Sequence, residues 1–267
     1  MADLPRQWRD WIADNLNRGV SAETLLSRLC DNGFVYQQCL PYLEAHLAPE
    51  LLVDHSADFY QRLATPRLLK QLDQWQARLL DVADAQFVVL EQFLSVRKCT
   101  ELAALAKTRL RPSEITATQG YEGFRTSSTC DLPTLHHPLA AQVEQRIVDA
   151  MGLGIGEAEP IQAQHYAPGQ GFKAHTDYFE PGSDEYRDFA AQDGQRSWTF
   201  MLYLSEGCQG GETEFPHLGL RFSPRTGMAL AWNNLCSDGT PNPRTLHQAH
   251  PVTQGEKVVI TKWFRER

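Results

Sequence analysis

Apolar residues recur with two different periods along this chain, and the change falls near residue 84. Trp8, Trp11, Ile12, Asn15 and Leu16 stand at i, i+3, i+4, i+7 and i+8, mostly apolar and on one face of a helix. Ser21 is placed to cap a second helix that carries Leu25, Leu26 and Leu29 and stops near Gly33. A third apolar pattern runs from Tyr36 to Leu43. A fourth, from about Pro66 to Val82, carries Leu68, Leu69, Leu72, Trp75 and Leu79 and continues the helical reading. The stretch from Ala48 to Thr65 is expected to be the looser connection. Residues 1–82 are thus read as a helical N-terminal extension.

After Asp84 the texture changes. Phe87-Val-Val-Leu90 is a short run of strand formers. Helical spacing returns from Ser95 to Leu110 and from about Pro138 to Met151. Beyond Ala158 strand-like segments dominate: Ile161 to Tyr166, Trp198 to Leu204, Leu220 to Phe222, Met228 to Trp232 and Val258 to Phe264. Turns containing Gly and Pro separate them. Many short strands of this kind predict a sandwich or jelly roll, and two helices covering one sheet make an α+β domain over 83–267.

Composition narrows the function classes. The 267 residues are 42% hydrophobic and 22% charged, enough apolar material for a substantial core. Acidic residues outnumber basic ones, 33 to 25, for a formal charge of -8, which argues against nonspecific nucleic-acid binding. No apolar run approaches the roughly 20 residues that cross a bilayer. The first residues mix Asp3, Arg6, Arg9 and Asp10, unlike a secretory signal. The cysteines at 30, 39, 99, 130, 208 and 236 form no CxxC pair, so they are expected to be reduced thiols of a cytoplasmic protein without a structural zinc site.

The first segment with chemistry in it runs from His165 to Asp177. His175 and Asp177 are two apart, which on a strand puts both side chains on one face. A third ligand would complete a two-histidine, one-carboxylate triad. Such a set leaves positions open and suits non-heme Fe(II) that must also bind a cosubstrate and oxygen. By residue type either His247 or His250 could be that third ligand. They are an odd number apart, so a regular strand would send only one of them to the metal.

Several motifs together resemble the prolyl 4-hydroxylase branch of the Fe(II)/2-oxoglutarate dioxygenases. They are Tyr166-Ala-Pro-Gly-Gln170, His175-Thr-Asp177, Arg196-Ser-Trp-Thr199 with Tyr203-Leu204, Gly210-Gly-Glu-Thr-Glu-Phe-Pro216, and the tail from His247 to Lys257. Order and spacing agree with the family pattern over about 84–267, and Arg125-Thr-Ser127 resembles a further segment of it. The resemblance implies a double-stranded β-helix (jelly-roll) core flanked by helices. It implies Fe(II), 2-oxoglutarate and O2, with ascorbate as a possible reductant. The expected reaction hydroxylates an unactivated C–H bond, of a prolyl residue in a peptide or protein, and releases succinate and carbon dioxide. A free amino or imino acid is the alternative substrate, and a silent metal-binding module the alternative class.

Carried over position by position, the resemblance makes His175, Asp177 and His247 the iron ligands, His247 being preferred because it stands ten residues before Lys257. Lys257 and Thr199 are expected at the distal carboxylate of 2-oxoglutarate, and Tyr166 in the pocket wall. Arg125, Ser127, Phe172 and Trp232 are the candidate substrate contacts. Two positions depart from the family: Phe172 replaces a tyrosine and Val258 a tryptophan. Both are expected near the meeting point of substrate and cosubstrate. The polar stretch 178–195 is a candidate lid, and the helical extension a candidate dimer contact.

Overall fold

The computed structural model describes residues 3–48, 51–113, 124–154, 158–190 and 193–266. Among these, eight strands form one antiparallel sheet in the spatial order Ala77–Leu79, Phe87–Leu90, Ala229–Asn233, Arg196–Tyr203, Lys257–Arg265, Gln162–Tyr166, Ser128–Asp131 and Arg111–Pro112. A second sheet of four faces it: Leu220–Phe222, Thr213–Phe215, His247–Ala249 and Phe172–His175. The two sheets form the jelly roll that the strand pattern anticipates.

Strand alternation decides what each sheet face does. In Lys257–Arg265, Val258, Ile260 and Phe264 pack with the helices Val96–Lys107 and Pro138–Met151. Lys257, Val259, Thr261 and Trp263 face the space between the sheets. Trp198, Phe200 and Leu202 likewise join the helix layer, while Met201 and Tyr203 face inward. The period of two therefore separates an apolar outer core from a chemically mixed interior.

The N-terminal helices Arg6–Asn17, Ala22–Asp31 and Tyr36–Leu43 share their own small core around Leu25, Leu29 and Leu43. The Ser21 hydroxyl caps the second of them by accepting from Thr24 N–H. Two expectations need correction. The stretch 48–65 is not merely a connection, because Ser56 caps a helix, Ala57–Leu63. Its Phe59, Tyr60 and Leu63 pack on Leu235, and Leu63 O accepts from the buried Trp198 Nε1–H at 2.9 Å. The segment 66–82 is not one helix. Arg67–Lys70 is helical, Gln76 turns the chain with φ 48, and Ala77–Leu79 pairs with Phe87–Leu90 as the sheet edge. The helical period holds from Leu68 to Trp75 but fails at Leu79, which is exposed and outside the apolar face. The sheet thus recruits a strand from within the first 82 residues.

Candidate metal and cosubstrate site

His175 ends the strand Phe172–His175, and His247 opens the strand His247–Ala249. The two are direct register partners, so their rings meet with centroids 4.3 Å apart. Asp177 lies just past the strand end rather than on it, a correction to the expected continuous strand. The turn still brings it inward. One ligand atom from each of His175, Asp177 and His247 lies within 4.8 Å of the others.

Each imidazole is oriented from behind. His175 Nδ1 contacts Lys173 O at 2.7 Å and His247 Nδ1 contacts Thr245 O at 3.0 Å. A carbonyl only accepts, so each Nδ1 carries a proton and Nε2 is the ring nitrogen left to face the cluster. Burial, and then the neighbouring His247, pushes His175 down to about 3, which holds it neutral. Burial alone would raise Asp177, but His247, His175, Arg196 and the Thr199 hydroxyl bring its carboxyl below the usual range. Two imidazoles and one carboxylate fit Fe(II) by donor type.

A narrow pocket leads inward from this cluster. Its wall includes Tyr166, Thr213, Trp232, Lys257, Val259 and Thr261. Lys257 closes the far end, only 1% exposed. Its Nζ donates to Thr213 Oγ1 at 3.3 Å and lies 5.0 Å from the Tyr166 ring centre and 5.7 Å from that of Tyr203. Tyr203 also donates to Thr213 Oγ1, at 2.7 Å. Among the described residues no carboxylate pairs with this lysine, and burial pushes it down to about 8. A cation sealed in an aromatic cage, with no carboxylate in direct contact among the described residues and only partial support from Glu212, is arranged for an anion that arrives from outside.

Thr199 was expected at this end and is not there. Its hydroxyl donates to Asp177 Oδ2 at 2.7 Å. Thr199 and Tyr203 both point inward, but four residues of strand separate them by about 13 Å. The strand therefore touches the carboxylate ligand with one residue and the lysine end with the other. The hydroxyl beside Lys257 is that of Thr213, in the Gly-Gly-Glu-Thr turn. Gly210 lets this turn approach closely: at φ 70, a Cβ there would meet Pro251 O at 2.3 Å.

Residues 161–265 match the family described as the 2OG-Fe(II) oxygenase superfamily. The chain is 32% identical over 232 residues to probable prolyl 4-hydroxylase 3 of Arabidopsis thaliana, covering 77% of this chain and 78% of that protein. It belongs to the prolyl 4-hydroxylase-like Fe(II)/2-oxoglutarate oxygenases. It is 30% identical over 180 residues to the putative prolyl 4-hydroxylase of Acanthamoeba polyphaga mimivirus, covering 67% of this chain and 74% of that one. Against prolyl 4-hydroxylase subunit alpha-1 of Homo sapiens the identity is 30% over 203 residues, covering 74% of this chain but only 36% of that longer protein. The fold is shared with the viral collagen prolyl hydroxylase from Paramecium Bursaria Chlorella virus-1 in its 2OG complex, with TM-score 0.51 and 22% identity over 66% of this chain and 94% of the other. The family's chemistry is that of an Fe(II)-, 2-oxoglutarate- and O2-dependent enzyme, and the donor set described above fits it.

On the solvent side of the oxygenase centre the pocket opens into a wider chamber. Phe172, His175, Asp177 and Trp263 border both spaces. The Phe172 ring stacks on His175 with centroids 3.5 Å apart, and Arg125 lies 5.1 Å over its other side. Arg125 is braced by Ser127 at 3.1 Å, Thr129 at 3.2 Å and Gln162 at 3.0 Å. Ser127 is buried beneath Arg125 and lines neither chamber, which corrects its reading as a substrate contact. Trp232 is buried too. It lines the inner pocket, edge-on to His247 at 5.1 Å, and does not line the outer chamber. Val258 faces the helix layer, so that departure from the family pattern lies away from both chambers.

Two residues of the outer chamber carry more than their sequence motifs announced. Arg196 forms a bidentate pair with Glu159, at 2.6 and 2.8 Å, between the rings of Trp263 and Phe179 at 4.3 and 4.8 Å. Glu159 has no sequence signal beyond standing before a strand. His250 is turned away from the cluster and contacts Glu214 Oε2 at 2.7 Å. Within 178–195, Tyr178 and Phe179 line the chamber, and Ser183 caps the short helix Asp184–Phe189.

Proposed function

We propose that this oxygenase hydroxylates a prolyl residue presented in a peptide or protein. His175, Asp177 and His247 hold Fe(II) in this reading, and Lys257 with Thr213 receives the distal carboxylate of 2-oxoglutarate. Bound iron would supply the activation of oxygen that couples decarboxylation of 2-oxoglutarate to C–H hydroxylation. The chain's own part is positional. The two Nδ1–carbonyl contacts aim the imidazoles, the lysine orients the cosubstrate by its far end, and the apolar wall around Trp232 and Val259 keeps water out.

The observation that carries the cosubstrate assignment is the buried, unpaired ammonium of Lys257 at the closed end of a pocket that begins at the His-Asp-His cluster. The peptide assignment draws on the named relatives and on the outer chamber. Arg196 already has Nε and Nη2 on Glu159 and Nη1 on Asp177 O, which leaves it ill suited to clamp the carboxylate of a free amino acid. The aromatic surfaces of Phe172, Tyr178, Phe179 and Trp263 suit a neutral ring on an extended backbone.

An anaerobic titration with Fe(II) and then 2-oxoglutarate tests the first assignment. A visible charge-transfer band should need both additions, vanish in His247→Ala and survive in His250→Ala. Loss in His250→Ala instead would refute the ligand set. Mass spectrometry of proline-containing peptides tests the second: one added oxygen per equivalent of succinate is expected. Hydroxylation of free proline with inert peptides would overturn it.

A further inference from the structure

Behind Asp177 stands a two-step hydrogen-bonded support, whose first residue belongs to the Arg196-Ser-Trp-Thr199 motif and whose second, Asn234, belongs to none. Thr199 donates to Asp177 Oδ2 at 2.7 Å, and Asn234 Nδ2 donates to Thr199 Oγ1 at 2.9 Å. An amide nitrogen can only donate. The threonine oxygen must therefore accept from Asn234, and its single proton is left for the carboxylate. All three side chains are buried, Thr199 and Asn234 completely. The direction of each bond is thus set by chemistry rather than by solvent.

Asn234 is itself pinned from two sides. Its backbone N–H donates to Ser197 O at 2.7 Å, and its carbonyl accepts from Asn242 N–H at 2.8 Å. Ser197 lies two residues before Thr199, and Asn242 five before His247. The same residue therefore ties the strand behind the carboxylate to the segment that leads into the second histidine. Its Oδ1 has no partner among the described residues. A buried carbonyl left so is costly, a burden that a mere packing residue would not need to carry.

We propose that Thr199 and Asn234 are positioning residues of the metal centre. They hold the Asp177 carboxylate in the orientation that keeps its Oδ2 3.9 Å from His247 Nε2, facing the ligand cluster. The inference rests on the reading of His175, Asp177 and His247 as the iron site.

The test uses the full chain as metal-free protein, titrated anaerobically with Co(II) in place of Fe(II) and followed by visible absorption. Thr199→Val keeps the shape and removes the proton; it should bind Co(II) about 10- to 100-fold more weakly, with a shifted d–d spectrum. Thr199→Ser should restore wild-type affinity and spectrum. Asn234→Leu should fall between wild type and Thr199→Val. Wild-type behaviour in Thr199→Val would overturn the proposal, as would a Thr199→Ser defect equal to that of valine. Wild-type behaviour in Asn234→Leu would remove Asn234 from it. If the wild type itself takes up no Co(II), the reading of the metal site fails instead, so the two failures are distinct.

Discussion

Lys257 and Lys262 lie five residues apart on one strand, both buried, and they face opposite ways. Lys262 points into the helix layer, where Glu144 Oε1 at 2.7 Å and Glu159 O at 2.8 Å surround its ammonium. Lys257 points between the sheets and meets a threonine hydroxyl and two aromatic rings, with no carboxylate in contact among the described residues. Burial lowers both, but Glu144 hydrogen-bonds and supports the charge of Lys262, while Lys257, with only the field of Cys208 and Glu212, is left at about 8. A buried charge by itself does not mark a site. A buried charge whose partner is missing does, because the fold holds it at a cost that only a ligand can offset.

Methionine substitution breaks this comparison most sharply. Lys262→Met leaves the part-buried Glu144 with only the Ile161 N–H and should lose about 3 kcal/mol in chemical denaturation. Lys257→Met removes an uncompensated charge and should match wild type or gain about 1–3 kcal/mol. Equal destabilisation by the two would show that Lys257 has a structural partner after all. The same Lys257→Met protein should bind 2-oxoglutarate on the order of 100-fold more weakly while still binding Fe(II), measured by the charge-transfer band or calorimetry.

The pH dependence sharpens the comparison further. The folded value of Lys257 lies below its usual 10.5, so the unfolded chain holds more protons between pH 8 and 10.5. Stability attributable to this group should therefore rise with pH across that window, and the cost is fully present below it. Binding of the anion restores the proton. Affinity for 2-oxoglutarate should fall about tenfold per unit above pH 8, about 1.4 kcal/mol, with proton uptake visible as a buffer-dependent enthalpy. A flat profile to pH 10 would contradict the unpaired ammonium. The smallest effect is expected from Thr213→Val, about 1 kcal/mol in 2-oxoglutarate affinity. Thr199→Val should leave the contact at the lysine end intact, with any change in 2-oxoglutarate binding traced to the metal.

Much of this was legible in the chain itself. The strand from Val258 to Phe264 was visible, although Val258 faces the helix layer and not the pocket where it was expected, and the helical period drew the first three helices correctly. The His-x-Asp pair and the distant histidine were visible by type. What failed did so for local physical reasons. The apolar period through Leu68 and Trp75 continued on paper to Leu79, but the sheet edge offered the backbone of Ala77–Leu79 a ladder that a helix would forgo. Thr199 and Thr213 are the same residue type on inward strand positions, and no spacing says which lies beside the lysine. Ser127 looked like a surface contact because burial is not written in its neighbours.

The sequence by itself determined the alternation that makes an apolar layer and a polar interior, the family to which the motifs belong, and the kinds of group available for chemistry. These follow from periodicity and side-chain type, which are local properties. Only the tertiary structure decided that His247 stands opposite His175, that Thr199 serves Asp177 while Thr213 meets Lys257, and that Lys262 has a carboxylate where Lys257 has none. Those are facts of register and of distance across sheets. They depend on how two strands far apart in sequence are brought side by side, and no single segment carries that information.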